Sequence, residues 1–164
     1  MTPTEHAAAE HHLPGVGRIV VIASAIGLVR VEFLATASPP VPTSGRGAEA
    51  ELRDRALDEL GGYANGGQLS CPVDLSTLPP FRRAALAALR RVGRGRTVTY
   101  AELARLAGTP GAARAAGSAC ANNPVPLWVP CHRVLASGGR IGGFSGGLKV
   151  KRALLELEGA PRPV

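Results

Sequence analysis

Between Arg18 and Phe33 an apolar run, Ile19 to Ile26 with Ser24 inside it, passes through Gly27 into alternation, with Val29, Val31 and Phe33 set against Arg30 and Glu32. Period two around a glycine predicts a β-hairpin with one buried face. Residues 1–14 are alanine, histidine and polar residues without a period, and they predict a loose tail. Pro39, Pro40 and Pro42 make Ser38 to Gly47 a loop. From Ala48 to Leu60 the period changes: Leu52, Ala56 and Leu60 recur at helical spacing with charges opposite, and Gly61-Gly62 is expected to end the helix. A short strand is expected near Leu69 to Val73, with Cys71 a small buried residue. Pro79-Pro80 closes this first part.

Beyond it, Phe81 to Val92 predicts an amphipathic helix in which Phe81, Ala85, Leu86, Leu89 and Val92 share one broad side and Arg83, Arg90 and Arg91 lie on the other. Gly93 to Arg96 reads as a turn. Thr99-Tyr100-Ala101-Glu102 fits a capping box opening a short helix, Tyr100 to Leu106. Gly108 stops it, and Thr109-Pro110 predicts the start of a second helix reaching about Ala121. Two short helices joined by a tight glycine-containing turn predict a helix-turn-helix. After Val134, residues 136–147 form a glycine-rich loop, and Leu148 to Glu158 predicts a last helix burying Val150, Leu154 and Leu157 before Gly159. The expected class is α+β, with a small sheet domain over residues 1–78 and a mostly helical, winged-helix-like domain over 79–164.

A formal charge of +7 and a pI near 10.3 favour an anionic partner, nucleic acid first. Lys149 and Lys151 are the only lysines, so the excess is arginine, the better bidentate binder of phosphate and bases. Cys71, Cys120 and Cys131 are too few and too widely spaced for a disulfide framework, which points to a reducing compartment. No apolar run reaches the length of a membrane span, and a soluble cytoplasmic protein is expected. His6, His11 and His12 lack cysteine or acidic partners at ligand spacing, so no metal site is expected.

The second helix of the pair holds Gly111, Ala112, Ala113, Ala115, Ala116, Gly117, Ser118, Ala119 and Ala121, with Arg114 its one long side chain. Small residues let helices pack closely. They also let a backbone enter a narrow groove, and readers of the major groove usually carry several long polar side chains. The composition therefore predicts binding without sequence preference, through the minor groove.

The chemistry concentrates in Asn122 to Val134, where Pro124, Pro126 and Pro130 predict a stiff, non-helical, extended approach to Cys131, His132 and Arg133. An adjacent cation or imidazole lowers a thiol pKa toward neutrality, and His132 is the candidate for that task. Glu158 at a helix C-terminus is disfavoured by the dipole and asks for a compensating partner, such as a histidine. The glycines of the loop allow close approach of backbone to a ligand.

Pro-Cys-His-Arg-Val, preceded by Asn-Pro-Val-Pro and followed by Gly-Phe-Ser-Gly-Gly, resembles the O6-alkylguanine-DNA alkyltransferases over roughly Thr97 to Gly159. The resemblance implies a ribonuclease-H-like sheet domain in the N-terminal half. It also implies a single-turnover repair reaction without a cofactor: the protein, acting as a monomer that can line up cooperatively on double-stranded DNA, flips the damaged guanine out and keeps its alkyl group as a thioether. By similarity, Cys131 is the nucleophile, His132 takes its proton through a water, Glu158 orients His132, and Tyr100 donates toward the departing base. Asn123 ties the helix pair to the active segment. Val134, Phe144, Ser145 and Lys151 line or hold the base, Phe144 standing where many relatives have tyrosine. Arg114 intercalates, with Tyr100, Ala115, Ala116 and Gly117 on the DNA side, while Ala121 lacks a basic or polar side chain often found there. The zinc site of some eukaryotic relatives is not evident. Alkyltransferase-like damage binders, the main alternative, carry another residue in place of the cysteine. A cysteine hydrolase would turn over and need no such helix pair, and a transcription factor would need longer side chains on its second helix.

Overall fold

The structure, a computed structural model, describes residues 5–164 and divides into a unit ending at Leu75 and a unit running from Ser76 to Val164. In the first, β1 (Ala7–Leu13), β2 (Gly17–Ala23) and β3 (Leu28–Leu34) form an antiparallel meander in that order, with α1 (Ala48–Tyr63) packed on β1 and β2. The predicted hairpin is β2–β3, with a register shift at Ile22/Ala23. The expected loose tail is instead a strand from Ala7 onward, paired from Ala7↔Ala23 to Leu13↔Gly17, while residues 1–4 lie outside the described part. Ala7, Ala9 and Leu13 are buried at alternating positions, and His11 interrupts the pattern. Alanine is too small and too common to announce such a period, although it fills a sheet-on-helix interface well.

Two further expectations change in this unit. Helix α1 runs through Gly61-Gly62 to Tyr63, because Leu60 and Tyr63, both buried, lie one turn apart and hold the last turn against the sheet. That anchoring outweighs the roughly 1 kcal/mol a helical glycine costs against alanine. Near Leu69 to Val73 there is one isolated bridge, Leu28↔Val73, rather than a strand, and Cys71 is fully buried as expected.

The second unit packs α2 (Pro80–Leu89), α3 (Tyr100–Leu106) and α4 (Ala113–Ala121) against one another; α2 stops short of the expected Val92, which is buried from the tighter turn that follows Leu89. Thr99 caps α3 as the sequence predicts: its hydroxyl accepts from the Glu102 amide at 3.2 Å, and the Thr99 amide donates to the Glu102 carboxylate at 2.6 Å. Helix α4 starts later than expected, at Ala113, because Gly111 is in the left-handed region (φ 86°) and keeps Thr109-Pro110 in the turn. The strand pair β4 (Val98–Thr99) and β5 (Val134–Leu135) is parallel and ties the start of α3 to the segment that follows Arg133.

The proline segment is neither extended throughout nor free of helix. The Val129 amide bonds the Val125 carbonyl, Leu127 has φ 76°, and Cys131–Arg133 forms a 3-10 turn. Proline blocks helix only around its own position, and Pro130, immediately before the turn, sits where its missing N–H costs nothing. Residues 125–135 are all buried, so this segment is the unit's core. Helix α5 (Leu148–Leu157) buries Lys151, Leu154 and Leu155, whereas the expected Val150 and Leu157 are only partly covered. The stripe is rotated because Lys151 and Glu158 belong to its inner face. Among the described residues no helix is long and apolar enough to cross a membrane, and no cluster suited to a metal ion occurs.

Candidate active site

A cleft of about 260 Å3 lies between the helix pair and the glycine-rich loop, lined by Tyr100, Gly117, Cys120, Ala121, Cys131, Gly143, Phe144 and Ser145. Each wall has a local cause. Tyr100 stands at the first turn of α3 because Thr99 caps that helix. Gly117 presents bare backbone from α4, where an added Cβ would stand 3.7 Å from the Tyr100 ring. Gly142, at φ 68°, lets the loop pass so close that a Cβ there would lie 3.1 Å from the Tyr100 hydroxyl.

Cys131 opens onto this cleft with 4% of its surface exposed. Burial pushes its thiol up to about 11, against the opposing pull of a hydrogen bond from Asn123 and of the Lys151 charge. The expectation of a thiol brought toward neutrality by His132 is therefore corrected: at rest the sulfur keeps its proton, because desolvating an anion costs more than the nearby donors return. Cys120, on the same cleft, is raised to about 12 by burial and by the neighbouring Cys131. Burial likewise holds the Tyr100 phenol above its ordinary range, so it remains a proton donor.

Behind the sulfur lies a fully buried polar group. His132 is 0% exposed, and its Nε2 is 2.8 Å from Glu158 Oε1. Burial holds the imidazole below its usual range despite the carboxylate, so His132 is neutral and its Nε2–H donates to Glu158. That leaves Nδ1 as the lone-pair nitrogen, and Nδ1 is buried without a hydrogen-bond partner among the described residues. Arg133 grips the same carboxylate, with Nε 2.9 Å from Oε2 and Nη2 2.8 Å from Oε1, while its Nη1 donates to the Val92 carbonyl. Glu158, expected to need a compensating partner, meets both the imidazole and the guanidinium. The sequence places Arg133 beside the thiol and the imidazole but gives it no partner; the unfavourable helix-end carboxylate was the signal, and the adjacent histidine already answered it.

Asn123 bonds the Val129 carbonyl at 2.9 Å and accepts from the Val125 amide at 3.0 Å, bracing the active segment from the end of α4. Lys151 is fully buried and donates to the carbonyls of Val134 at 2.6 Å and Gly143 at 3.0 Å. Burial draws its amine down to about 8. Lys151 and Val134 thus fasten the loop to β5 and do not themselves line the cleft.

The deciding observation combines reach and identity: over 149 residues the chain is 32% identical to the methylated-DNA--protein-cysteine methyltransferase of Haemophilus influenzae, spanning 89% of this chain and 83% of that protein. This chain belongs to the methylated-DNA--protein-cysteine methyltransferase family. The model for the DNA-binding domain of 6-O-methylguanine DNA methyltransferase matches residues 80–160. The Mycobacterium bovis relative of the same name is 41% identical over 109 residues, a stretch spanning 66% of each chain. The fold agrees with the Mycobacterium tuberculosis OGT solved in complex with DNA, at TM-score 0.76 and 32% identity over 94% of both chains.

Within this member of the family, the residues expected to work together largely converge. Cys131, Tyr100, Phe144, Ser145 and Gly117 share the cleft, and His132 and Glu158 form a direct pair behind it. Cys120 and Gly143 join the wall unannounced. On α4, Arg114 and Ala115 are exposed, but Ala116 is fully buried, so its side chain packs inward and is not part of the outer surface.

Proposed function

We propose that this protein repairs alkylated guanine in DNA by moving the alkyl group from O6 to Cys131, once per molecule. The observation that carries the reading is a cysteine opening onto a cleft beside a two-helix face, with a neutral histidine and an oriented carboxylate behind it. A base inside a duplex is out of reach, so the damaged nucleotide must be swung into that cleft at a cost of a few kcal/mol. Exposed Arg114, on the outer side of α4, is the group to occupy the vacated stack, and the small residues around it suit the minor groove.

In the reaction the thiol proton passes to His132, through a bridging water. The sulfur lone pair forms the S–C bond as the C–O6 bond breaks, and the departing guanine recovers a proton, so the net exchange is a proton for an alkyl group. Negative charge developing on the base is met by donors lining the cleft, Tyr100 and Ser145. A buried, protonated thiol needs this arrangement: its anion forms only as the reaction proceeds, in a site already shielded from bulk solvent. No cofactor takes part, and the thioether ends the protein's activity. A monomer in a reducing, cytoplasmic setting fits three free cysteines.

The test is intact-protein mass after incubation with a duplex holding one O6-methylguanine. The wild type is expected to gain one methyl group and stop. Cys131→Ala is expected to bind the duplex with unchanged mass. Continued turnover, or no mass gain in fresh wild-type protein, overturns the reading.

A further inference from the structure

We infer that Arg133 is a positioning residue that keeps His132 a neutral base, by neutralising the carboxylate that orients it. The inference rests on the alkyl-transfer reading above and adds a task to a residue so far without one. Glu158 is covered on both oxygens: Oε1 meets His132 Nε2 and Arg133 Nη2, each at 2.8 Å, and Oε2 meets Arg133 Nε at 2.9 Å and the Gly95 amide at 3.4 Å. The guanidinium is itself pinned, since Nη1 donates to the Val92 carbonyl just beyond α2. All three side chains are buried, with 0% of the Glu158 and His132 side chains and 10% of the Arg133 side chain exposed.

The physical problem this geometry solves is one of charge. A buried carboxylate facing an imidazole by itself favours the imidazolium, because an opposite charge within ~4–6 Å moves a pKa by roughly 1–3 units. A histidine already protonated at rest cannot accept the Cys131 proton. Arginine stays charged at every relevant pH and meets a carboxylate with a planar fork. It cancels the Glu158 charge while Oε1, which it shares, still accepts the Nε2–H, which fixes the tautomer and leaves the lone pair on Nδ1. Among the described residues, the charged groups acting on His132 are Glu158 at the C-terminal cap of α5, Lys151 from α5, and Arg133 from its own turn. From the glycine-rich loop the Phe144 ring stands nearly perpendicular to the imidazole, 6.4 Å between centroids, and Arg94 directs its Nη2 to the Leu157 carbonyl. Arg133 and Lys151 both oppose protonation, and Arg133 does so while gripping the carboxylate that promotes it.

The experiment measures single-turnover transfer from a methylated duplex across pH, beside the NMR titration of the His132 ring nitrogens, in wild type, Arg133→Gln, Arg133→Lys and Arg133→Gln/Glu158→Gln. In R133Q the acid limb and the ring titration are both expected to move up by about one unit or more, with the rate recovering above it. The double variant, having lost both charges, is expected to return toward the wild-type midpoint. R133K, which keeps a charge without the fork, is expected to retain that midpoint even if slower. A loss in R133Q uniform across pH, with an unmoved ring titration, overturns the inference, as does an R133K midpoint shifted as far as that of R133Q. The ring titration needs no alkyl transfer, so it tests Arg133 even if the wild type transfers nothing, an outcome that sinks only the underlying reading.

Discussion

At the scale of single residues, the cleft is governed by what burial does to acids and bases. Cys131 and Cys120 are held up to about 11 and about 12 by desolvation, so at neutral pH both keep their protons. A free thiol reagent at pH 7 is accordingly expected to label them far more slowly than an unfolded control, with reactivity rising in alkali; rapid labelling of Cys131 at pH 7 contradicts the burial assignment. Linkage gives the stability side of the same fact. Cys120 in the folded state keeps its proton from its ordinary value near 9 up to about 12, so the folded state binds more protons than the unfolded one over that window. Its stabilising contribution is complete below pH 9 and is lost as pH rises through the window, with a slope of at most about 1.4 kcal/mol per pH unit. Denaturant midpoints measured from pH 8 to 11 are expected to fall less steeply in Cys120→Ala than in the wild type. Parallel slopes refute the shift.

At the scale of elements, two clamps place the working parts. The Thr99–Glu102 capping box starts α3 and thereby sets Tyr100 against the cleft. Thr99→Ala should cost about 1 kcal/mol, within the usual 0.5–2 for a lost N-cap, and should slow transfer by displacing Tyr100. A urea midpoint unchanged within error shows that the cap carries no weight. In the first unit, Arg18 bonds both Glu10 oxygens at 2.6 and 2.8 Å and donates to the carbonyls of Ser38 at 2.7 Å and Pro39 at 3.2 Å, while Glu10 accepts the Val41 amide. This pair gathers the proline loop onto the strands. On α4, Arg114 is exposed, with no hydrogen bond or ion pair among the described residues. Arg114→Ala is expected to slow reaction with alkylated duplex at least tenfold more than reaction with the free alkylated base. Equal losses on both substrates remove its role in extrusion.

Across the whole molecule, charge is divided as sharply as the fold. The unit from Ser76 carries fourteen Lys and Arg against three Glu, whereas the unit ending at Leu75 carries five Arg against nine Asp and Glu. The basic character read from the full chain thus belongs to the unit that holds the cleft. A polyanion is drawn to that unit, and affinity for duplex is expected to fall steeply and linearly with log salt. A flat response means that its arginines do not meet phosphates.

Local chemistry was enough to write the α3 cap, the β2–β3 hairpin, the α2 face and the Cys131-His132-Arg133 string into the sequence, because each depends on neighbours a few residues apart. The rest depended on partners far along the chain. The strand β1 exists because β2 and α1 cover its alanines, and α1 outlasts two glycines because Tyr63 finds a buried place. The inner face of α5 was misjudged because a lysine and a glutamate occupy it, which only their distant partners permit: Val134 and Gly143 for Lys151, His132 and Arg133 for Glu158. Sequence named the candidate sulfur. Only the packed structure decided its protonation, since the cost of charge in a buried site is set by everything that surrounds it.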